Sequence, residues 1–450
     1  MRRLGEALHG SLYFALVVEA LISGFYVMVT RSLSPILMAF VGMEIQEILV
    51  INILASFAAV MVALVLYYHR EFLLRDVKIK LLVFHGSARL AWGILPLCIL
   101  HHIAFYVDFI LAVALSIPTT AMITELILSC FDEEEAKKLI ARRTALAAFS
   151  GFVGQGAIVA VLAGFAGLSK YVMLYVSAMA VGLIATAMIA LSKMPSSIEA
   201  KVKVLSEEAE VEITDVFIFL TLFLSSNAIL GIAWSPYLMN VLEAPDYLAA
   251  LVCFSQLATS IAASLFWAEA PYRRYKYALA AAAAIPVAIM FTTNPWLHIG
   301  IAAAFAFTYT GANLLAATIY AGTIKGAEPT KAAILLSTTQ ALAQVLGLGI
   351  ALAIYGLGPG YMFAAATLLL AFAAVLAMLT VPEFAVVPEH YVKLYARMLY
   401  RTSTAGYGFM IMTTKRTVIL TLKLLAASFI LLFVYIVYRM LYYLLALSRG

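Results

Sequence analysis

Charged residues are scarce in this sequence. Asp, Glu, Lys and Arg make up only 12% of its 450 residues, 65% are hydrophobic, and the mean hydropathy is +1.02. A soluble domain carries about 25% charged residues, because its surface faces water. The composition therefore excludes an ordinary soluble protein and predicts a chain that lies in a lipid bilayer.

Cysteine is also rare, and the familiar catalytic motifs are missing. Cys98, Cys130 and Cys253 lie far apart in or beside apolar stretches, so we expect packing residues rather than a zinc site or disulfides. His101 and His102 are adjacent but lack further metal ligands. The sequence has no Walker loop, dinucleotide-binding glycine motif or Ser/His/Asp arrangement. We therefore expect no cofactor, no resident metal, no enzymatic activity, no ATP-driven pumping and no nucleic-acid partner.

Long apolar stretches cover most of the chain. A helix needs about 20 apolar residues to cross a bilayer, where no water is present to satisfy its backbone groups. The pattern predicts an all-α, polytopic membrane protein. We predict twelve spanning helices, at 11–38, 46–68, 79–100, 102–130, 138–167, 169–193, 214–240, 246–268, 276–293, 297–323, 330–356 and 358–382.

Basic residues are concentrated in alternate loops. If the amino terminus is cytoplasmic, the segments on the cytoplasmic side hold 18 of the 21 Lys and Arg residues up to residue 382, among them Arg142 and Arg143, whereas the opposite loops hold essentially Lys170. Cytoplasmic loops carry this excess in most multi-pass proteins. We therefore predict a multi-pass protein of the cell membrane with a cytoplasmic amino terminus.

Polar stretches divide the chain into parts. A charged stretch separates two sets of six predicted helices, and a second polar stretch follows the twelfth helix. The predicted parts are an amino-terminal six-helix bundle at 1–193, a cytoplasmic linker at 194–213, a second six-helix bundle at 214–382, an interfacial basic and aromatic segment at 383–416, and an additional transmembrane helix at 417–450.

The additional helix depends on two basic residues. Lys423 and Arg439 bracket a short uncharged core, so the segment spans the bilayer only if both side chains snorkel to the interface. A tilted anchor along the lipid surface is the alternative. The preceding segment has apolar and basic residues at helical spacing, which is typical of an interfacial helix.

The two predicted bundles share a sequence pattern. Ser34-Pro35 recurs 201 positions later as Ser235-Pro236. A second set recurs after 193 positions: Lys138 as Lys331, Gly154 as Gly347, Gly156 as Gly349, and Gly167 as Gly360. These matches predict an internal repeat that relates the two bundles.

An acidic residue, a charged inner loop and several glycines follow one another between Glu125 and Gly156, and through this pattern residues 11–382 resemble the major facilitator superfamily of secondary transporters. Members end the fourth helix with an acidic residue, continue with a charged inner loop, and carry glycines on the fifth helix. The matching residues are Glu125, Lys137, Lys138, Gly151, Gly154 and Gly156. The resemblance implies two bundles that rock about a central site near the bilayer midplane. It gives the glycines of helices five and eleven a role at the moving interface, with static close packing as the alternative.

Ionisable residues at membrane depth are costly and usually face a cavity or a partner. We predict that Arg31 binds an anionic substrate group, because a guanidinium offers a planar fork to carboxylate or phosphate. A static ion pair between Arg31 and Asp108 is the alternative. For ion or proton coupling, a carboxylate must change its proton affinity when the site fills. The predicted coupling residues are Glu19, Arg89 and Asp108, and the predicted gating residues are Glu125, Lys137 and Lys138.

Neutral polar residues in the second bundle are the remaining candidates. They provide hydrogen-bonding groups for the other wall of a substrate site, or bonds between helices as the alternative. The predicted substrate-binding residues there are Asn227, Gln256, Asn313, Gln340 and Gln344.

These features favour a secondary active transporter of a small organic solute. We expect alternating access, ion or proton coupling, a slight preference for an anionic metabolite, membrane lipid as surroundings and a monomeric state. A multidrug/proton exporter is an alternative, although Gln155 follows Gly154 where drug antiporters often have a Gly-Pro pair. A nontransporting receptor or assembly protein with a transporter fold is another. A membrane enzyme acting on lipid is disfavoured, since the inner loops offer mainly basic residues.

Overall fold

The computed structural model describes residues 2–131, 133–194, 213–271, 274–323 and 329–380. All regular structure within these ranges is helical, and they contain no strand. Backbone hydrogen bonds inside a helix need no partner from solvent, which is why an apolar chain of this kind folds as helices.

Twelve long helices run through the described part of the chain, and the predicted spans coincide with them. They are α1 (Arg2–Phe40), α2 (Ile45–Tyr68), α3 (Val77–Ile94), α4 (His102–Cys130), α5 (Glu133–Gly164), α6 (Ser169–Leu191), α7 (Ile213–Pro236), α8 (Asp246–Ala268), α9 (Tyr275–Phe291), α10 (Leu297–Thr323), α11 (Pro329–Ile354) and α12 (Tyr361–Thr380). Short helical turns follow α3 (Leu95–Leu100), α7 (Tyr237–Val241) and α11 (Tyr355–Leu357), and a short helix (Arg70–Leu74) follows α2.

Ten segments of the described chain are long and apolar enough to cross a membrane. The apolar helices Tyr275–Phe291 and Tyr361–Ala377 are shorter. The prediction of an all-α, polytopic membrane protein is therefore confirmed.

The chain divides into two units, Met1–Leu376 and Ala377–Gly450. All helices from α1 to α11 belong to the first unit. Of the second unit, only the last turn of α12 is among the described residues. The predicted segments 383–416 and 417–450 lie outside them, as does most of the predicted linker.

One end of the first unit is called here the Asp246 end, because Asp246 begins α8 there. The turn between α1 and α2 lies at this end. Gly42 in this turn has a φ of +84°, a backbone conformation that residues other than glycine rarely adopt. Asn240, after α7, donates a hydrogen bond to the carbonyl of Met43 over 2.9 Å. This bond joins the first six helices to the second six.

The opposite end is called the Phe131 end. The ring of Phe131, just after α4, packs edge-on against Tyr13 of α1 at 5.9 Å between centroids. Lys78, at the start of α3, donates to the carbonyl of Ser192 over 2.8 Å. Residues near the ends of α1, α3, α4 and α6 therefore lie together at this end.

Two pairs of helices repeat the same close approach. A methyl group at Gly154 on α5 would lie 3.2 Å from the carbonyl oxygen of Phe25 on α1, and one at Gly347 on α11 would collide with the backbone of Ser225 on α7. Gly154 and Gly347 are 193 positions apart, and Phe25 and Ser225 are 200 apart. The predicted internal repeat therefore has a structural counterpart.

In this structure Gly154 and Gly347 pack inside their own sets of six helices and not between the two sets. Each packs against a helix of its own set of six, because the absence of a side chain lets two backbones touch. Static close packing of Gly154 and Gly347 is therefore observed, and a role for them at a moving interface stays a prediction.

Contacts between the two sets of six helices run along α2 with α11 and α5 with α8. Ser56 of α2 donates to the Oε1 atom of Gln344 on α11 over 2.8 Å. The buried side chain of Gln155 on α5 donates to the carbonyl of Ala250 on α8 over 3.0 Å. Polar bonds of this kind hold helices together in lipid.

Candidate functional site

A cavity of about 730 Å³ lies among α1, α3, α4, α5 and α11. Its α4, α5 and α11 walls come from the half of each helix nearer the Phe131 end. Along α1 the wall extends from Glu19 to Arg31. Cavities that bind small molecules usually measure about 300–1,000 Å³, so this one has a suitable size.

Glu19 lies at the centre of a buried charge cluster. Its carboxylate, in a residue only 2% exposed, is 2.8 Å from a guanidinium nitrogen of Arg143 and 3.8 Å from one of Arg89. Ser23 donates to Glu19 Oε1 over 2.6 Å, and His85 Nε2 lies 3.4 Å from the same oxygen. Several donors therefore compensate the desolvation of one carboxylate.

Helical spacing brings these groups together. His85 and Arg89 are one turn apart on α3 and share a face. Thr186 of α6 lies 2.7 Å from His85 Nδ1, which fixes the ring. Arg143 reaches α1 from α5 and also donates to the carbonyl of Leu16. The cluster thus ties α1, α3, α5 and α6 together.

Arg89 is held tightly but keeps one free donor. It donates to Ser23 over 2.9 Å, and its guanidinium lies 4.6 Å from the centre of the Tyr26 ring. A methyl group at Gly182 would lie 2.6 Å from Arg89 Cγ, so the glycine leaves room for this side chain. Among the described residues, buried Arg89 Nε has no hydrogen-bond acceptor.

Arg31 also lines the cavity, nearer the Asp246 end. It is exposed and makes no side-chain hydrogen bond or ion pair within the described chain. Asp108 is 8% exposed, does not line the cavity, and its Oδ2 has no partner among those residues. The alternative of a static Arg31–Asp108 ion pair is therefore wrong.

The charges that line the cavity do not balance. Three arginines, Arg31, Arg89 and Arg143, face it, and Glu19 is the one acidic residue of its described lining. Three positive charges and one negative charge leave an excess of two positive charges. Positive charge in a cleft with low-dielectric walls attracts anions.

A stripe of hydroxyl groups on α4 forms another wall. The residues are Ser116, Thr119, Thr120 and Thr124, which follow helical spacing. Each donates its hydrogen to a carbonyl three or four residues earlier in the same helix, at 2.6–3.1 Å. The hydroxyl oxygens therefore remain as acceptors for a ligand O–H or N–H group.

Only one of the substrate-binding residues predicted in the second bundle lies at the cavity. Gln340 lines the cavity, next to Ser337 on α11. Gln344, one turn further, accepts the hydrogen bond from α2 instead. Three others lie outside the cavity lining: Asn227, Gln256 and Asn313.

The predicted gating residues lie near the Phe131 end. Glu125 is buried on α4 and accepts a hydrogen bond from Ser129 over 2.6 Å. Lys138 is exposed, and the side chain of Lys137 lies outside the described part. Their gating role stays a prediction. Within the described residues, no group of three His, Cys, Asp or Glu side chains could hold a metal ion.

Sequence reasoning missed His85, Arg143 and the hydroxyl stripe. His85 precedes the predicted residue Arg89 by four positions, and that spacing was a usable signal. Arg143 was assigned to a basic loop, although it is within the predicted fifth helix. The stripe from Ser116 to Thr124 has the period of one helix face.

The Asp246 end is closed by a second ion pair. Lys170 Nζ, on α6, lies 2.5 Å from Asp246 Oδ2 on α8, and both residues are buried. Tyr171 donates to the same oxygen over 2.6 Å. The Lys170 ammonium also lies 5.1 Å from the centre of the Phe40 ring. The pair joins the first six helices to the second six on the far side of the cavity from the Phe131 end.

No family model matches the sequence, and no curated protein matches it. Solved structures do match the fold. A mutant of the nucleoside transporter NupG has a TM-score of 0.62 and 12% identity, covering 83% of this chain and 100% of that chain. A D-xylose-proton symporter has a TM-score of 0.61 and 12% identity, with coverages of 84% and 99%. The Escherichia coli fucose:proton symporter FucP, with an altered residue, has 0.50 and 14%, with coverages of 83% and 98%.

All three are transporters of the major facilitator type, and each is matched over nearly its whole length. The expected resemblance is therefore confirmed at the level of the fold. This chain has a major facilitator-like fold, and the cavity lies between helices of that fold.

Proposed function

We propose that the protein is a secondary active transporter of a small organic anion, coupled to an ion or proton gradient. The observation that carries the proposal is Arg31, an arginine without a partner in the described chain, lining a cavity that has two excess positive charges. A guanidinium at membrane depth is costly unless a ligand or partner compensates it. An anionic solute provides that compensation.

Alternating access explains why the two sets of six helices are joined at the Asp246 end, while the cavity lies toward the Phe131 end. The Lys170–Asp246 pair and the Asn240–Met43 bond join the two sets of six helices at the Asp246 end. The cavity extends from the middle of the first unit toward the Phe131 end. In the proposed cycle, these contacts break when the cavity opens toward the Asp246 end.

Orientation follows from the loops. The basic loops lie at the Phe131 end, so we place this end in the cytoplasm and the protein in the cell membrane. The cavity then lies on the cytoplasmic side of the closed contacts. We propose a monomer surrounded by membrane lipid.

Glu19 supports coupling to protons. Its carboxylate and a substrate anion would compete for the same arginines, Arg89 and Arg143. When the anion binds, Glu19 loses part of its compensation and takes up a proton, which then travels with the substrate. Asp108 is the second coupling candidate because it is buried and its Oδ2 has no partner in the described chain.

The test is thermal stability of the purified protein in detergent with organic acids, sugars, amino acids and cations, at two pH values. A ligand present at about 100 times its dissociation constant adds roughly 2.7 kcal/mol to the folded state. Organic anions should stabilise the protein, and Arg31→Ala should abolish the effect. The matched control is Arg142→Ala, which removes an exposed arginine that contacts Tyr13 outside the cavity.

Other results would favour the alternatives. Stabilisation by lipophilic cations, unaffected by Arg31→Ala, would favour a multidrug exporter. Ligand binding without flux across proteoliposomes would favour a nontransporting receptor.

A further inference from the structure

The arginines of the cavity differ in how far they are compensated. Arg143 has its carboxylate partner at 2.8 Å, whereas the Arg89 guanidinium is 3.8 Å from that same group. Arg31 has no partner in the described chain. One acidic residue therefore serves two arginines, and the third is free for a ligand.

Two unused donor groups follow from this arrangement. Arg89 Nε is buried without an acceptor in the described chain, and Arg89 is one of the cavity-lining residues. The guanidinium of Arg31 likewise has no hydrogen-bond acceptor and no ion-pair partner in the described chain. Arginine donors of this kind pair best with carboxylate or phosphate oxygens, because the planar fork matches two acceptors.

The two donor groups lie at different depths of the cavity. Arg89 is anchored at Ser23, and Arg31 lies eight residues further along α1, which corresponds to about 12 Å of helix rise. The Tyr26 ring lies between these two positions and lines the cavity. A ligand with two separated acidic groups therefore suits the two arginines better than one compact anionic group does.

We infer that the substrate is a two-ended organic dianion, such as a dicarboxylate, with one acidic group at Arg31 and the other at Arg89. Two negative charges cancel the excess of two positive charges that the cavity lining carries before Glu19 takes up a proton. The acceptor oxygens of Ser116 and Thr120 then face the body of the ligand, where they suit hydroxyl or amino substituents. This inference rests on the proposed transport function and names the substrate class of the same site.

The test compares ligands that differ by one charge. Dissociation constants are measured for the full-length protein in detergent with succinate, glutarate and adipate, and with the monoamide of each, at neutral pH. The monoamide keeps the shape and loses one negative charge. At least one dicarboxylate should bind about tenfold or more tightly than its monoamide, as expected for one hydrogen-bonded charged contact.

Arg31→Gln provides the matched variant. Arg31 contacts no other described side chain through a hydrogen bond or ion pair, so its replacement should leave the fold intact. In this variant the dicarboxylate and its monoamide should bind equally, whereas Arg142→Gln should keep the preference. This loss of charge discrimination separates a contact with the second acidic group from a general effect on affinity.

Two results would overturn the inference. Equal binding of dicarboxylate and monoamide by the unaltered protein would show that the second charge is not recognised. Selective binding of a phosphate monoester such as glycerol phosphate would show that both charges sit on one group. If monoanions are transported instead, the proposal of anion transport stands and the dianion inference fails. If sugars are transported, the protein is a transporter, but the preference for an anion fails together with the dianion inference. If no ligand binds and no flux is detected, both fail.

Discussion

The ammonium of Lys170 and the carboxylate of Asp246 are 2.5 Å apart and join α6 to α8. Removing one member of a buried ion pair leaves an uncompensated charge, which costs about 3–5 kcal/mol. This is enough to change a closed-to-open equilibrium by more than about 100-fold, since 1.4 kcal/mol is a factor of ten. The pair is therefore well placed to hold the Asp246 end closed.

Asp246→Asn should open this end more often. The reporter is Cys253, two turns further on α8, whose sulfur lies 3.8 Å from Ser235 on α7. In a background with Cys98 and Cys130 replaced by serine, alkylation of Cys253 should become at least about tenfold faster. The combined exchange Lys170→Asp with Asp246→Lys should restore slow alkylation. An unchanged alkylation rate in Asp246→Asn would show that the Lys170–Asp246 pair does not hold this end closed.

Glu19→Gln should lower the melting temperature markedly, because Arg89 and Arg143 lose their shared carboxylate. Arg143→Gln alone should also destabilise the protein. The double variant should lose less stability than the sum of the two single variants, since it removes both members of one pair. Glu269→Gln, an exposed residue after α8, is the control and should have little effect. Strict additivity would mean that the pair carries no coupling energy.

Proton coupling is tested by separating driven uptake from exchange. Glu19→Gln should abolish uptake driven by a pH gradient in proteoliposomes but preserve exchange of labelled for unlabelled solute, because exchange needs no net proton movement. Asp108→Asn tests the second candidate in the same way. If pH-driven uptake survives in both variants, neither carboxylate couples transport to protons.

Gly347→Ala should destabilise the protein by about 1–3 kcal/mol, because the added methyl group collides with the backbone of Ser225. Gly231→Ala is the control on α7, where nothing lies within 4 Å of the added carbon. Chemical denaturation of both variants in the same detergent gives the comparison. Equal stability of the two would contradict the close packing of α7 and α11.

Orientation is tested with two introduced cysteines in a cysteine-free background. Asn294→Cys lies in the loop before α10 at the Asp246 end, and Glu269→Cys follows α8 at the Phe131 end. An impermeant maleimide should label Asn294→Cys in intact cells, and Glu269→Cys only after permeabilisation. The reverse pattern would place the amino terminus outside.

The positions of the helices could be predicted well from the sequence, and the residue numbers along a helix then give the depth of its charged residues. Hydropathy and helix length determine both, since a bilayer requires long apolar helices. Glu19 and Arg31 accordingly lie at different levels of one cavity wall. The internal repeat could also be detected in the sequence. Gly154 and Gly347, which it pairs, have equivalent packing roles in the structure.

Which groups face one another could not be predicted in the same way. Asn227 and Asn313 were chosen for their polarity, but helix packing decides whether such a side chain faces the cavity. Arg143 was read as a loop residue, although its long side chain reaches Glu19 from α5. The alternative of an ion pair between Arg31 and Asp108 is wrong for a related reason, because two residues at a similar depth meet only when their helix faces also match.

The most direct test is counterflow in proteoliposomes loaded with an unlabelled organic anion that stabilises the purified protein, with the same anion added outside in labelled form. We expect transient accumulation of label by the unaltered protein and by Arg142→Ala, and none by Arg31→Ala. Accumulation that is unchanged in Arg31→Ala would contradict the assigned site. Tight binding with no accumulation in any vesicle would contradict transport itself.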